Sequence, residues 1–525
     1  MRKVKSDGLL VQMIDLAVIG LGPTGAMLSL LMSRRGRSVI ALDRASQVSD
    51  EPRAVYLDGE AMRLFQRVGV ADHLTAKIQA ARGMECINMQ GEALLRYEAT
   101  SHADHSGWRA GYYCHQPDVE RVLQDELARQ PTAELVTGSE VENIESHDHG
   151  VSLTVRSAAG VRRVDARFAV GCCGARSSTR RSMGVEVADL GGDRDWLVVD
   201  VLLRSPISLP ALTTQYCDPH RPATFVPLAG NRRRFEFMLH GHERASLDVA
   251  CFLERHLLRW LPEGSYEVER AAVYAFHAVH AVGWRRGPIM LAGDAAHQMP
   301  PFLGQGLCAG LRDAANLEWK LDAVCRGIAR DSLLDTYERE RLPHVLAVMA
   351  DDLALGEYIQ MDDAALVKQR DDAVRAHGGP FSMSPKIYPI GLDLCASCDA
   401  AGTPFPQLDE GLGHRLDSDL GEGFALFGFA KLSFETDARL ERLGLRRLPA
   451  VPPLVQRWLE THRATAVLIR PDRVVAALET SPGAIDSVIS SWHAWSLLAP
   501  SDLGTAAEAG PGEVPILKSQ TYASY

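Results

Sequence analysis

The feature that most constrains this chain lies near its start. An apolar strand, Leu16 to Ile19, runs into Gly20-Leu21-Gly22-Pro23-Thr24-Gly25 and then into an apolar helix from Ala26 to about Arg35. Strand, tight turn and helix in that order leave few folds open. A second apolar strand, Ser38 to Leu42, ends in Asp43, which stands near the ~20-residue spacing from the turn expected of a ribose-binding acid. The spacing predicts a βαβ unit holding an adenine dinucleotide. Gly20 permits the sharp turn, Gly22 lets the backbone approach a pyrophosphate, and Gly25 allows close packing of helix on strand. Pro23 and Thr24 fall at the helix start, where unpaired N–H groups face an anion, and Arg44 beside Asp43 joins the candidate cofactor-binding set.

A second turn of this kind appears far downstream. The strand Pro288–Leu291 runs into Ala292-Gly293-Asp294-Ala295-Ala296-His297, followed by Pro300-Pro301-Phe302-Leu303-Gly304-Gln305-Gly306. Asp294, at the carboxyl end of a strand, stands where ligands bind open α/β sheets, and its carboxylate can accept hydrogen bonds from a polyol chain. Gly304 and Gly306 admit close backbone approach before an amphipathic helix carrying Leu307, Leu311, Ala314, Leu317, Leu321 and Val324. That helix start suits a flavin, whose reduced ring carries negative charge, better than a nicotinamide. His297 is left open between a functional residue and a satisfied core histidine.

At ~150 residues per domain, 525 residues suggest about three domains, and 46% hydrophobic residues supply a large core. A net charge of −11 argues against a nucleic acid partner. No apolar run approaches the ~18–20 residues of a membrane span, and Gln12 and Asp15 interrupt the N-terminal apolar stretch. The expectation is a cytoplasmic protein with no signal peptide and no membrane partner. The ten cysteines show no zinc-like pair of pairs, so no metal site is expected. The lone Cys395-Ala-Ser-Cys398 reads as chance spacing. The run Tyr337-Glu338-Arg339-Glu340-Arg341 reads as a solvated helix face. Short β-prone runs such as Trp196–Leu203 and Arg234–Leu239 predict a separate sheet, and Phe424–Phe427 and Ala466–Ile469 predict strands of a C-terminal domain.

These motifs resemble the FAD-dependent class A aromatic hydroxylases, in the branch of 3-(3-hydroxyphenyl)propionate hydroxylase and related phenol monooxygenases. The resemblance rests on Asp15 through Gly25 with Asp43, Pro52-Arg53-Ala54 leading to Asp58-Gly59-Glu60, His115-Gln116-Pro117, Gly171 to Arg181, and Gly293-Asp294 through Trp319-Lys320-Leu321. It implies an α/β fold: a Rossmann-like FAD-binding domain (1–80, 111–186 and 283–390), an inserted β-sheet substrate domain (81–110 and 187–282), and a C-terminal thioredoxin-like domain (400–525). It implies that Arg53 and Gln116 contact FAD, that Asp294 holds the ribityl chain, and that Gly304 to Leu307, with Gln305 and Gly306 between them, line the flavin ring; Pro301 joins the candidate cofactor-binding set. Arg312, Asp313 and Asn316 match the family's helix and read as packing and helix-surface hydrogen bonds.

The implied reaction uses FAD, NADPH or NADH as co-substrate, and O2 to hydroxylate a small phenolic substrate through a flavin hydroperoxide, in a protein expected to form a homodimer. Two alternatives stay open: a flavin oxidase or reductase on the same fold, and a turnover-deficient FAD-binding interaction protein. The sequence departs from the family at Cys172-Cys173-Gly174, where Cys173 replaces an expected aspartate, and this is expected to impair nicotinamide handling modestly. For the phenol pocket, Tyr216, Glu236, His240, His242, Tyr274 and His277 are candidates by residue type alone, and no catalytic base is assigned.

Overall fold

The computed structural model describes residues 3–6, 9–50, 53–100, 102–241, 243–393, 395, 398–407 and 415–492. Strands Ala133–Val136, Val39–Leu42, Ile14–Ile19 and the second half of Gly160–Gly171 lie side by side and parallel. Ile289–Leu291 pairs in parallel with the other side of Gly160–Gly171, whose first half runs antiparallel to Gly150–Ser157. Leu16 to Ile19 and Val39 to Leu42 are buried throughout, as continuous apolar runs covered on both faces must be. Because Ile14–Ile19 and Ile289–Leu291 point the same way, the turns at Gly20 and Gly293 open at the same end of the sheet.

The first helix spans Pro23–Arg34, three residues earlier than the apolar pattern suggested, because extended Gly22 caps it and Pro23 can occupy its first turn. It packs against the helix Gly306–Cys325.

A second sheet has the strand order Tyr266–Phe276, Arg194–Leu203, Arg232–Met238, Ala223–Val226, Thr213–Tyr216, Gly83–Ile87, Ala93–Glu98 and Phe381–Ser382. One face, with Leu197, Val199, Tyr216, Phe225, Phe235 and Phe237, closes on Leu253 and Leu257 of the helix Val249–Leu257. Nearer the C-terminus, four strands lie in the order Arg446–Leu448, Ala425–Gly428, Ala466–Ile469 and Val475–Leu478, the first pair parallel and the others antiparallel. Helices Phe434–Arg442, Pro453–Thr461 and Ala484–Ser491 accompany them. Residues 493–525 of the expected C-terminal domain lie outside the described residues. Among the described residues no helix is long and apolar enough to cross a membrane.

One expectation is corrected. The run at 337–341 is not a solvated face: Tyr337, Glu340 and Arg341 are buried. Glu340 accepts hydrogen bonds from Lys320 at 2.7 Å and from Arg470 at 2.7 and 2.8 Å, while Arg341 donates to Asp313 at 2.9 Å. Positions 337, 340, 341 and 344 share one helical face, and partners on other elements neutralise the charges.

Candidate active site

Two glycines of the first turn are required by the protein itself. A Cβ on Gly20, whose φ is +106°, would lie 2.5 Å from the Cys172 carbonyl oxygen, and one on Gly25 would lie 1.9 Å from that of Gly20. Gly22 differs, because a Cβ there would meet no protein atom within 4 Å. The helix above it has no side-chain cap and no acidic residue in its first turn, so its N-terminus favours an anion. Asp43 accepts from the N–H of Leu21 at 2.7 Å and of Ala45 at 2.8 Å, which fixes the turn and still leaves lone pairs on both oxygens. Arg44 is exposed.

The second turn meets the first. Gly293 has φ +61°, and a Cβ there would lie 2.7 Å from Oγ1 of Thr24; one on Gly310 would lie 2.3 Å from the same oxygen. Small residues at 293 and 310 therefore let the two turns touch. The Gly293 N–H donates to Asp313 at 3.0 Å, and Asp313 also bonds Nε2 of His297 at 2.6 Å and Nε of Arg341. Burial pushes the Asp313 carboxyl up, but His297 and Arg341 outweigh it and hold it below the ordinary range. His297 thus joins a buried cluster through Nε2, while its buried Nδ1 has no hydrogen-bond partner among the described residues.

Asp294 stands apart. Its neighbours Gly293, Ala295, Ala296 and His297 are buried, whereas Asp294 is open to solvent. The surrounding protein pushes its carboxyl up, against the pull of His297 and Arg53. Arg53 therefore acts on Asp294 across the site; Pro52 beside it lies outside the described residues. Gln116 orders this segment by accepting from the Ala54 N–H and donating to Glu120, both at 2.7 Å.

Pro301 is exposed, and the Pro301–Leu307 loop is held by the Leu303 N–H donating to Asp352 at 2.8 Å. Gly304 takes φ +66°, and a Cβ there would press on the Tyr56 side chain at 3.0 Å. Gln305 caps the helix Gly306–Cys325 without a side-chain cap bond, and again no acid occupies the first turn; Leu307 packs partly on the core. Two uncapped helix starts, an open carboxylate and a cradle at Gly22 fit a dinucleotide with an anionic ring. The residues present suit FAD.

The second sheet supplies the opposite wall. Cross-strand partners share a face, so Trp196, Val198 and Asp200 stand with Met238, Glu236 and Arg234, and Thr224 with Glu236. Arg234 pairs with both oxygens of Asp200, at 2.7 and 2.9 Å, and donates to the Arg53 carbonyl at 2.8 Å. Further along, Trp196 packs edge-on against Phe302 at 5.7 Å between ring centroids.

Of the pocket candidates, Glu236 lies on this inner face. Tyr274 is opposite Trp196 in register, and its buried hydroxyl has no hydrogen-bond partner among the described residues. Tyr216 does not belong here: its hydroxyl accepts from Nε1 of Trp260 at 2.8 Å in the core behind the sheet. His240 bonds the His220 carbonyl, and His277 pairs with Asp193 on the surface. His242 lies outside the described residues. Sequence reasoning missed Asp352 and the Asp200–Arg234 pair, because no local spacing marks residues that act across strands.

Residues 13–352 match the family described as FAD binding domain. A probable NADH-specific resorcinol 4-hydroxylase of Rhodococcus jostii is 34% identical, covering 89% of this chain and 92% of the relative. A 3-(3-hydroxy-phenyl)propionate/3-hydroxycinnamic acid hydroxylase of Burkholderia vietnamiensis is 32% identical, covering 92% and 96%. Among solved structures, aklavinone-11 hydroxylase with FAD and aklavinone is similar in fold, with a TM-score of 0.74 and 22% identity over 92% of this chain and 99% of that one. Family match, relatives and site geometry agree, and the chain belongs to the FAD-dependent aromatic hydroxylases, monooxygenases that work with FAD and a nicotinamide co-substrate.

Proposed function

We propose that this enzyme hydroxylates a small monocyclic phenol, consuming O2 and NADH, in the cytoplasm. One observation carries the reading: the two glycine turns meet at Thr24, and the inner face of the second sheet stands opposite the Pro301–Leu307 loop at the site where they meet. FAD held by Gly20, Gly22, Pro23, Thr24, Gly25, Asp43, Arg53, Gln116, Gly293 and Asp294 would supply the redox chemistry. The chain's own task is to order the phenol and exclude water between that face and the loop. The relatives' names favour a resorcinol- or hydroxyphenylpropionate-like ring, and the first favours NADH.

The test is a panel of phenols assayed for stimulated NADH and NADPH oxidation, O2 uptake and a product about 16 Da heavier, the mass of one oxygen atom. If no phenol stimulates turnover or gains oxygen, the reading fails.

The domain limits set out above are part of the same proposal. The order β-α-β-α-β-β-α with a mixed four-stranded sheet supports the thioredoxin-like reading of the C-terminal unit. Phe429 and Phe434 there are 78% and 89% exposed, and such apolar exposure supports a homodimer, which sedimentation would check.

Cys173 has Ser177 Oγ at 3.0 Å and Thr179 Oγ1 at 3.5 Å. Burial pushes its thiol up, yet the Ser177 and Thr179 hydroxyls outweigh this and lower it. Cys173→Asp is expected to lower the nicotinamide KM and speed flavin reduction several-fold, as measured by stopped flow. Unchanged values would show that the cysteine costs nothing.

A further inference from the structure

We propose that Glu236 is the catalytic residue that takes the proton of the substrate's phenolic hydroxyl. The proposal rests on the phenol-hydroxylase reading above and names the side chain that would ready the ring for attack.

The placement comes from the strand Arg232–Met238. On one side of Glu236 along its inner face, Arg234 reaches across to the Arg53 carbonyl, on the cofactor side. On the other side, Met238 stands opposite Trp196, and both join Phe302 in one apolar cluster at the ring-lining loop. The sheet therefore touches the FAD-binding unit on both sides of Glu236, and Glu236 faces the interval between the two contacts. Its cross-strand neighbours are Val198 and Thr224, and the Thr224 hydroxyl is already committed to Gln215.

The carboxylate itself is not committed. Among the described residues no donor hydrogen-bonds it, and the nearest cation, Nη1 of Arg234, lies 3.8 Å away while Arg234 is held by Asp200. The side chain keeps about a tenth of its surface exposed, so an incoming phenol O–H can reach the carboxylate and donate to it. An acceptor placed beside the apolar Trp196, Met238 and Phe302 suits a polar aromatic ligand.

In the proposed step the phenol O–H bond breaks, a new O–H bond forms on the Glu236 carboxylate, and the electron pair stays on the phenolate oxygen. The phenolate is the more electron-rich ring. The proton returns to the oxygen when the hydroxylated product leaves, so Glu236 is unchanged over the cycle.

Burial pushes the Glu236 carboxyl up to about 7, with Arg234 opposing and Asp200 reinforcing the rise. Those two are the charged groups facing it from its own and the neighbouring strand. Cys86, paired with Gln215 on the same face, and Cys114 beside Arg234 are both raised, Cys114 to about 12, and stay neutral. Above the Glu236 value the carboxylate can accept a proton; below it the acid cannot. Product formation should therefore rise with pH through about 7.

The experiment compares wild type, Glu236→Gln and Glu236→Asp as holoenzymes on the phenol that wild type hydroxylates best. Expected for Glu236→Gln are wild-type FAD content and melting temperature, unchanged reduction by NADH without phenol, and product formation lowered by about 10²–10⁴-fold with the limb near pH 7 absent. Glu236→Asp should recover part of the rate and restore the limb. Wild-type product rates and an unchanged limb in Glu236→Gln would overturn the proposal while leaving phenol hydroxylation intact. So would a Glu236→Gln protein that loses FAD or stability while Glu236→Asp behaves as wild type without any pH limb. If wild type itself hydroxylates no phenol, the underlying reading fails instead.

Discussion

Gly25→Ala is expected to purify colourless and to bind added FAD at least about 100-fold more weakly than wild type, a loss of roughly 2.7 kcal/mol or more. The added Cβ would sit 1.9 Å from the Gly20 carbonyl oxygen, well inside van der Waals contact, so the helix Pro23–Arg34 has to move away from its strand. Its N-terminal N–H groups move with it, and overpacking of this kind costs about 1–3 kcal/mol in stability as well. Gly22→Ala is the matched control. Its Cβ meets no protein atom within 4 Å, and its φ of −63° is open to any residue. That variant should keep the stability of the FAD-free chain within about 1 kcal/mol, the modest difference between glycine and alanine at an N-cap, and yet lose FAD affinity, because the group it obstructs is the cofactor. Thermal melts of the FAD-free chains with flavin fluorescence titrations separate the two. A Gly22→Ala chain that keeps wild-type FAD affinity would mean that the pyrophosphate does not pass over Gly22.

Glu340→Gln is expected to destabilise the protein by about 3–5 kcal/mol in urea titrations, since removing one member of a buried ionic cluster strands the others. Glu340 sits between Lys320 and Arg470, all three fully buried, and it joins the helix Gly306–Cys325 to the C-terminal unit. Burial pushes the Glu340 carboxyl up, but Arg470 and Lys320 outweigh this and hold it down from 4.5 to about 2. The folded value lies below the unfolded one, so this stabilisation is present above the ordinary carboxylate range and is lost as pH falls from about 4.5 toward about 2. Wild type should show that acid limb, and Glu340→Gln should lack it. A loss under about 1 kcal/mol would assign the cluster a negligible part in holding the units together.

How far the sequence could be read depended on whether a residue acts through its chain neighbours. Gly20, Gly22, Gly25 and Asp43 were legible because turn geometry and helix starts are local, and each leaves a fixed spacing. The same holds for Gly293, Asp294 and Gly304. Tyr216 and Glu236 show the opposite case. Both are polar residues on strands of one sheet, and strand text alone does not say which face meets the Pro301–Leu307 loop. Register and the helix Val249–Leu257 send Tyr216 into a closed core and Glu236 to the inner face.

The charged run at 337–341 failed for a related reason. Polarity in a helix normally means water, and only the approach of Lys320, Asp313 and Arg470 from elsewhere makes burial of Glu340 and Arg341 tolerable. By itself, then, the sequence determined the two glycine turns and hence the flavin chemistry, because close backbone approach is dictated by residues adjacent in the chain. Tertiary structure decided which turn meets which, which face of the sheet meets the Pro301–Leu307 loop, and where charge can lie buried. Those depend on distances between atoms far apart along the chain, which packing sets and local pattern does not encode.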